Sequence, residues 1–460
     1  MHKLIYRRYL LAVLLVIQAF NGVDGLALGL VLQNIKLDLH LTDTQLGFLS
    51  GIAFALFYSV MGIPIARWAD RGNRVTIISL TAAVWSVMVA LCGMAANFAQ
   101  LLLIRVGVAV GEAGCIPPAH SLIADYFGRA ERPKAVAIYM LAGSLSTLIG
   151  YFVAGWLSEF YGWRAMFILL GLPGLVPAAL AWFTLREPRR EKLANSVARR
   201  AADGADSGAD AVVPAQDAPS LQEVLATLWK NRTFRSLLLC LSVMSFFVSG
   251  ILQWQPAFFV RSFGLKTGEL GTWFALIYGS ASFIGTYWGG ELASRRAARN
   301  ERLQLRVMAI VIANIGVVSA LMYLSSNRLV AFGLLGLGVL GGCAANGPLF
   351  AIIQTLVPER MRALSIASIY LFSNLIGAGL GPLAAGVLSD ILHPLVGEES
   401  LRYALLALCP GYLWSGWYLW RASRTVMRDL ESAREPDEVA GSEGPGQEAL
   451  AQQGVRCELS

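Results

Sequence analysis

The chain has 460 residues, of which 56% are hydrophobic and 15% are charged, and its mean hydropathy is +0.57. Soluble globular domains carry about 25% charged residues, so this composition excludes an ordinary soluble protein and predicts a membrane protein. The formal net charge of +7 does not indicate nucleic-acid binding, because the basic residues concentrate in loops on one side of the apolar segments.

Apolar segments long enough to cross a bilayer occur twelve times along the chain. An α-helix needs roughly 20 residues to cross about 30 Å of hydrocarbon. The first segment follows Lys3, Arg7 and Arg8, as a secretory signal would, but it is far longer than the roughly 7–15 residues of a signal core. The predicted spans are 9–35, 44–68, 75–96, 100–122, 134–159, 163–184, 235–260, 268–292, 305–325, 328–354, 362–389 and 403–421.

The basic residues predict the orientation of these helices. If the N-terminus is cytoplasmic, most Lys and Arg residues lie in cytoplasmic loops, as the positive-inside rule requires. We therefore expect both termini in the cytoplasm, and short loops with frequent arginine favour a bacterial inner membrane. The basic residues expected on the other side are Lys36, Arg164, Arg261, Lys266, Arg328 and Arg402.

The spans form two groups of six, separated by a polar segment. This segment contains the low-complexity stretch "AADGADSGADAVVPAQDAPS", which cannot bury a core, and a capping box at Ser220 that predicts a short amphipathic helix. The predicted domains are an N-terminal six-helix bundle at 1–185, a cytoplasmic linker at 186–232, a C-terminal six-helix bundle at 233–422 and a disordered cytoplasmic tail at 423–460.

The two groups are copies of one another. An offset of 231 aligns three glycines and a Leu-Ser-acid motif, and an offset of 224 aligns a Leu-Gly pair. Two sets of six helices in parallel repeats are the arrangement of the major facilitator transporters. The sequence therefore predicts an all-α polytopic membrane protein with the major facilitator fold. The aligned positions are Gly111 with Gly342, Gly150 with Gly381, Gly155 with Gly386, Leu157-Ser158-Glu159 with Leu388-Ser389-Asp390, and Leu46-Gly47 with Leu270-Gly271.

The loop after the second span, "ARWADRGNR" at 66–74, resembles the signature loop of the major facilitator superfamily. Its usual leading glycine is Ala66, and the counterpart after the eighth span has Ser294 in place of the acid. A loop carboxylate of this kind can pair with arginines or with a helix N-terminus and hold a gate shut. A solvated loop that obeys the positive-inside rule is the alternative. The cytoplasmic gate residues that the resemblance implies are Asp70, Arg71, Arg74 and Arg295.

Three charged side chains lie inside the first and fourth predicted membrane spans. The stretch "LIRVGVAVGEAGCIPPAHSL" at 103–122 contains Arg105 and Glu112, and the first span contains Asp24. A charged residue near the bilayer centre costs about 2.5–3.5 kcal/mol, so such residues usually mark a functional pathway. Seven residues of separation put Arg105 and Glu112 on one helix face but about 10 Å apart along the axis. Asp24 is therefore the better partner for Arg105.

Glu112 is then left nearer the middle of the membrane, where burial and a neighbouring arginine have opposite effects on its protonation. This position suits a proton carrier. We expect Asp24, Arg105 and Glu112 to couple protons to the movement of a charged substrate group. The alternative is a permanent buried salt bridge that only fixes helix packing. The stretch "RVGVAVGEAG" also resembles the fourth-helix motif of proton-coupled members of the superfamily.

Further polar side chains in the spans could line a substrate cavity. Each could equally form an interhelical hydrogen bond, since polar side chains also hold membrane helices together. His120 follows two prolines and could instead cap the local backbone. The candidate cavity residues are Asn21, His120, Tyr139, Gln255, Asn346, Tyr370 and Asn374.

The stretch "GEAGCIPPAHSLIADYFGRAERPKAVAIY" at 111–139 resembles the spinster-like branch of the superfamily. That branch is associated with lysolipid and sphingoid-lipid export in eukaryotes, so the resemblance implies an amphiphilic substrate moved by proton-driven alternating access. Members often have an arginine straight after the first-helix acid, where this chain has Gly25, which favours a different head group. A carrier of small organic anions is the alternative within the transporter class.

Other function classes have less support. The chain has no GxxxxGK[ST], HExxH, paired CxxC or GxSxG motif, which disfavours direct ATP drive and a membrane-embedded enzyme. A channel or receptor would not require a parallel repeat with buried titratable groups. We expect a monomer in contact with membrane lipids, its substrate and protons, without a cofactor, a metal or nucleic acid.

Overall fold

The computed structural model describes residues 2–128, 130–188, 229, 232–296, 300–355 and 372–442, and within these residues all regular secondary structure is helical. The helices of the first half are α1 His2–Leu39, α2 Asp43–Ser50, α3 Ile52–Arg71, α4 Arg74–Cys92, α5 Phe98–Ala113, α6 Ile116–Tyr126, α7 Arg132–Gly171 and α8 Leu175–Thr184. Those of the second half are α9 Arg232–Phe263, α10 Thr267–Arg296, α11 Glu301–Leu324, α12 Arg328–Thr355, α13 Gly381–Val396, α14 Ser400–Leu408 and α15 Pro410–Ser442, with a π-helical segment Ser373–Leu380 before α13.

These helices confirm the predicted all-α membrane architecture. Nine helical segments among the described residues are long and apolar enough to cross a membrane. Two of them, Arg132–Thr184 and Ser373–Asp429, contain 53 and 57 residues, which is enough for two crossings each at roughly 20 residues per crossing. Each is interrupted by a glycine with positive φ, Gly162 at 80° and Gly397 at 60°. Together with α10 these segments account for the twelve predicted spans within the described part of the chain.

The helices pack as two bundles. In the first bundle α1 packs on α7 and α4 packs on α5, and in the second bundle α11 packs on α15 and α10 packs on α12. The bundles meet where α7 packs on α10, α2 on α13 and α1 on α9. We name the face with the α3–α4 and α6–α7 loops the linker face, and the face with the α1–α2 and α9–α10 loops the far face.

The polar contacts that the described residues make between the bundles are found at the far face. Among the described residues, the hydrogen bonds and ion pairs that join the bundles involve the end of α1, the part of α7 just before Gly162, the starts of α2 and α10, and the far-face ends of α9 and α13. The far face is therefore closed in this conformation.

The last helix is longer than the sequence predicts. Helix α15 continues to Ser442, whereas the sequence predicts disorder from residue 423. Ala422 and Val426 are fully buried, and the Asp429 carboxylate accepts a hydrogen bond from the Thr233 N–H at 2.8 Å. Packing against α9 therefore stabilises helical turns for which the polar composition alone predicts disorder.

The boundary after the first bundle also differs from the prediction. Glu187 and Pro188 are buried against the first bundle, although the sequence places them in the linker at 186–232. Residues 189–228, which include most of the amphipathic helix predicted from Ser220, lie outside the described residues.

Candidate functional site

A buried ion pair joins α1 to α5. Arg105 Nη1 donates to Asp24 Oδ2, and both residues are 2% exposed. The Phe54 ring of α3 lies 5.3 Å from the guanidinium carbon, in a cation–π contact. Arg105 therefore faces the protein interior rather than lipid, and the structure contains the contact with Asp24 that the sequence favoured.

Some buried polar atoms of the ion pair and of the neighbouring Asn21 lack hydrogen-bond partners in the described part of the chain. Asp24 Oδ1, Arg105 Nε and Asn21 Nδ2 have no hydrogen-bond partner among the described residues. Asn21 lies about one helical turn before Asp24 and is 7% exposed. Buried polar groups are nearly always hydrogen-bonded, so unsatisfied ones indicate a place for a water, a proton or a ligand. Asp24 thus has one carboxylate oxygen bonded to Arg105 and one without a partner among the described residues.

Glu112 contacts Trp85 rather than Arg105. Its Oε1 accepts a hydrogen bond from Trp85 Nε1 of α4 at 3.1 Å. The two helices approach closely here, because a Cβ atom at Gly111 would lie 2.7 Å from the Trp85 backbone nitrogen. The absence of a side chain at Gly111 therefore lets the indole reach Glu112. The spacing argument against a direct Arg105–Glu112 pair agrees with this geometry, but no sequence pattern pointed to Trp85.

Two other predicted cavity residues pack between the ion pair and the linker face. The Tyr139 hydroxyl of α7 donates to Gln18 Oε1 of α1 at 2.9 Å. The His120 ring of α6 packs edge-on against the Tyr139 ring, with centroids 5.3 Å apart. Because α1 begins at the linker face, Gln18 lies between that face and Asp24. Polar groups therefore extend from the ion pair toward the linker face.

The remaining predicted cavity residues belong to the second bundle. Gln255 is buried and its Oε1 accepts a hydrogen bond from the Tyr278 hydroxyl at 2.5 Å, which joins α9 to α10. Asn374 is exposed and lies in the π-helical segment. The Asn346 side chain and Tyr370 lie outside the described residues.

A mostly apolar cavity of about 310 Å³ lies inside the second bundle, between α9, α10, α11 and α12. Its walls are mainly Ile, Leu, Val and Met side chains, and Gln255 and Tyr278 are among its few polar groups. This volume is at the lower end of the roughly 300–1,000 Å³ of ligand pockets. The cavity suits the apolar part of a ligand. Its lining comes from separate helices, so no single stretch of sequence predicts it.

The predicted gate residue Arg74 is bonded within the first bundle. It is 1% exposed, and it donates to Glu187 at 2.5 Å, to Asp125 at 2.6 Å and to Ser121 at 2.8 Å. These bonds connect the start of α4 with α6 and with the chain after α8. Arg74 therefore fixes helix ends of one bundle in this conformation.

Two other predicted gate residues, Arg71 and Arg295, form no hydrogen bond or ion pair with Arg74 in the described part of the chain. Arg71 is exposed, and Arg295 pairs with Glu291 on the same helix, with 78% of the Arg295 side chain exposed. The Asp70 side chain lies outside the described residues. Their gate role stays a prediction.

A buried ion cluster at the far face was missed by the sequence reasoning. The Asp43 carboxylate is 1% exposed and accepts hydrogen bonds from both terminal nitrogens of Arg261 at 2.6 and 2.8 Å, with Lys36 Nζ 2.8 Å away. The pair between Asp43 of α2 and Arg261 of α9 joins the two bundles. A signal was present, since Thr42 and Gln45 form a capping box that marks Asp43 as the first helical residue.

Two bundles of membrane-spanning helices that enclose a buried charge pair and close at one face define a multi-pass membrane transporter. The chain belongs to the Major Facilitator Superfamily, since the model of that family matches residues 14–382.

Individual relatives extend this assignment. An MFS-type efflux pump of Mycolicibacterium smegmatis is 30% identical over 428 residues, which are 92% of this chain and 94% of the pump. A probable L-galactonate transporter of Escherichia coli is 26% identical over 84% of this chain and 82% of its own length. A crystal structure of a bacterial homolog of the human lysosomal transporter Spinster, in an inward-facing and unoccupied conformation, superposes with a TM-score of 0.79 at 29% identity and covers 92% of this chain and 98% of the homolog. The chain therefore resembles the spinster-like branch.

Proposed function

We propose that the chain is a proton-coupled transporter of an amphiphilic, lipid-like molecule of the lysolipid or sphingoid class, and that it works by alternating access as a monomer. We place it in a bacterial inner membrane with both termini, and hence the linker face, in the cytoplasm. The observation that carries the proposal is the buried Asp24–Arg105 pair with an unsatisfied Asp24 oxygen.

Proton coupling follows from the chemistry of this pair. When Asp24 takes a proton at Oδ1 it loses its negative charge, so Arg105 loses its counter-ion and can bind an anionic group of the substrate. When the proton leaves, Asp24 competes for Arg105 again and the substrate group is released. Glu112, whose carboxylate accepts the Trp85 hydrogen bond at 3.1 Å, lies two helical turns along α5 and can exchange protons with the same polar region.

The amphiphilic substrate class rests on the division between the two bundles. The first bundle supplies a guanidinium for a charged head group, and the 310 Å³ cavity of the second bundle offers apolar walls for a chain. Burial of each CH₂ group contributes about 0.8 kcal/mol, so about four carbons of a chain in this cavity would add about 3 kcal/mol to binding. The resemblance of the stretch at 111–139 to the spinster-like branch implies the same substrate class.

A small organic anion is the second candidate. It is favoured by the relative described as a probable L-galactonate transporter and by Arg105, because a guanidinium binds carboxylates in bidentate geometry. This substrate would leave the apolar cavity without a role, which is why we rank it second.

The test uses purified protein in liposomes with an imposed pH gradient. Transfer of radiolabelled lysophosphatidic acid across the bilayer is measured by back-extraction with albumin, and uptake of galactonate is measured in parallel. We expect gradient-dependent transfer of the lysolipid that is lost in Asp24→Asn. The matched control is Glu398→Gln, which changes an acid whose side chain is 84% exposed at the far face.

Two results would contradict the proposal. Lysolipid transfer that ignores the gradient would remove proton coupling, and gradient-driven uptake of galactonate without lysolipid transfer would replace the lipid-like substrate with the organic anion.

A further inference from the structure

The Leu-Ser-acid motif that occurs in both repeats places an acid at the far face of each bundle. In the structure Glu159 Oε2 accepts the Gly268 N–H at 2.8 Å, and Asp390 accepts the N–H groups of Asp43 and Thr44 at 3.1 and 2.7 Å. Each acid thus caps the first turn of a helix in the other bundle, where free N–H groups and the helix dipole favour a negative charge.

The backbone contacts beside these caps are duplicated as well. A Cβ atom at Gly271 of α10 would lie 2.3 Å from the Tyr151 carbonyl, and one at Gly47 of α2 would lie 2.5 Å from the Pro382 carbonyl. The offsets of 224 and 231 relate Gly47 to Gly271 and Tyr151 to Pro382. The α2–α13 and α10–α7 contacts are therefore two copies of one interface, each able to close only because a glycine leaves room for a carbonyl.

The glycines on the opposite sides of these interfaces repeat the pattern. A Cβ atom at Gly386 would lie 2.3 Å from the Asp43 carbonyl, and one at Gly155 would lie 2.6 Å from the Thr267 carbonyl. Asp43 and Thr267 are related by the offset of 224, and they are the first residues of α2 and α10. The two interfaces therefore share the same backbone contacts, but the first residue of the helix is an acid, Asp43, in one copy and a hydroxyl residue, Thr267, in the other.

With an acid at Asp43, the α2–α13 copy has buried charged contacts that the α7–α10 copy lacks. Asp43 binds Arg261 and Lys36 and also accepts the Ser389 hydroxyl at 2.7 Å, so its carboxylate is satisfied from both bundles. Removing one partner from such a buried charge cluster leaves an uncompensated charge, which is strongly unfavourable. The α2–α13 contact therefore resists separation.

The α7–α10 copy has weaker polar contacts. Ser158, the counterpart of Ser389, is 3% exposed, and its hydroxyl has no hydrogen-bond partner among the described residues. Lys266 Nζ lies 3.9 Å from Glu159, with 79% of the lysine side chain exposed, and exposed pairs of this kind contribute little. A neutral hydrogen bond from Trp156 to Thr272 at 3.1 Å completes the contact.

Empty space lies beside the weaker copy. A crevice of about 870 Å³ opens at the far face, and its lining includes Gln33 of α1 with Ser158, Glu159, Lys266 and Thr267. Separation of α7 from α10 would widen this crevice, because residues of both helices line it.

We propose that Glu159 and Asp390 are the two halves of a far-face latch of unequal strength, so that the face opens first between α7 and α10 and pivots on the Asp43 contact. Glu159 and Asp390 are positioning residues in this device, since each acts by holding a helix start. The crevice becomes the mouth of the cavity when the far face opens. The inference holds for any substrate and does not depend on proton coupling.

The test measures distances across the two copies separately by double electron–electron resonance. A cysteine-free background in lipid nanodiscs carries one spin-label pair at Tyr161 and Ser326 across the α7–α10 copy, or at His40 and Leu395 across the α2–α13 copy. These four positions are exposed at the far face. No substrate or pH gradient is added, so the result is independent of the proposed function.

We expect a larger long-distance component for Tyr161–Ser326 than for His40–Leu395 in the otherwise unaltered protein. Glu159→Gln replaces a charged acceptor with a neutral one, and it should raise the ratio of long to short distances about fivefold at Tyr161–Ser326, with little change at His40–Leu395. Asp390→Asn should lengthen both distances. Glu269→Gln, which changes an acid whose ion pair with Arg328 stays within one bundle, is the matched control.

The proposal is overturned if Glu159→Gln changes neither distance or changes both equally. It is also overturned if the His40–Leu395 pair shows the larger long-distance component without any substitution, because the stronger contact would then be the first to open.

Discussion

The two bundles share one helix order, yet they hold different chemistry at equivalent positions. The offset of 224 places Val248 at the position of Asp24, and the offset of 231 places Cys343 at the position of Glu112. Val248 and Cys343 both line the apolar cavity of the second bundle. The cavity is therefore the second bundle's counterpart of the charged site in the first.

This comparison shows that two copies of one helix arrangement can carry different chemistry at equivalent positions. A buried charge in a membrane carries a high free-energy cost, so such residues are usually functional. An apolar cavity requires only that small side chains replace large ones. The same division appears at the far face, where one copy of an interface has the Asp43 cluster and the other has Thr267. We expect substitutions in the two bundles to have separable effects.

The largest effect is expected from Arg105→Gln. This change leaves Asp24 buried without its cation, which should lower the free energy of unfolding by about 3–5 kcal/mol and abolish transport. The double variant Asp24→Asn with Arg105→Gln should recover most of the stability but no transport, as measured by thermal unfolding in detergent and by lysolipid back-extraction. A double variant that still transports would reduce the pair to a packing element.

Glu112→Gln should separate coupling from binding. We expect loss of accumulation driven by a pH gradient, while exchange of substrate without a gradient continues, because the neutral amide still accepts the Trp85 hydrogen bond. The measurement is the ratio of driven accumulation to exchange in the same liposomes. Trp85→Phe is the companion variant, since it removes the hydrogen bond and keeps Glu112, and it should alter the pH profile of transport. Full gradient-driven accumulation in Glu112→Gln would remove this residue from the mechanism.

Filling the apolar cavity should affect long substrates selectively. Gly338 of α12 lines the cavity and has open space where a side chain would begin, so Gly338→Leu should fit and displace about two CH₂ groups of a chain, which is about a tenfold loss of affinity. The control is Gly333→Leu on the same helix, where a side chain also has open space but lies outside this cavity. Affinity for lysolipids of increasing chain length gives the answer. Equal losses of affinity for lysolipids with short and long acyl chains would show that the acyl chain binds outside this cavity.

The smallest effect is expected from Arg295→Ala. Its ion pair with Glu291 is exposed and lies within one helix, so the free energy of unfolding should change by less than about 0.5 kcal/mol. Thermal unfolding at low and high salt measures this directly. A loss of transport without a loss of stability would support the gate role that the loop resemblance implies for Arg295.

The sequence was sufficient for the features that depend on local composition. The cost of exposing backbone and charge to hydrocarbon forces apolar segments of fixed length, so the twelve spans could be read from the chain. The ordered motifs at constant offsets predicted the repeat. The Asp24–Arg105 contact was also predictable, because a buried arginine needs an acid at the same depth and few acids lie in the spans.

Only the tertiary structure decided which distant side chains meet. Trp85 reaches Glu112 because Gly111 lets two helices approach, and Glu187 joins the first bundle because Arg74 is buried beside it. The unequal halves of the far-face contact depend on residues more than a hundred positions apart, such as Asp43 and Arg261. Periodicity and local cost constrain each helix separately, but the pairing of helix faces is set by the packing of the whole chain.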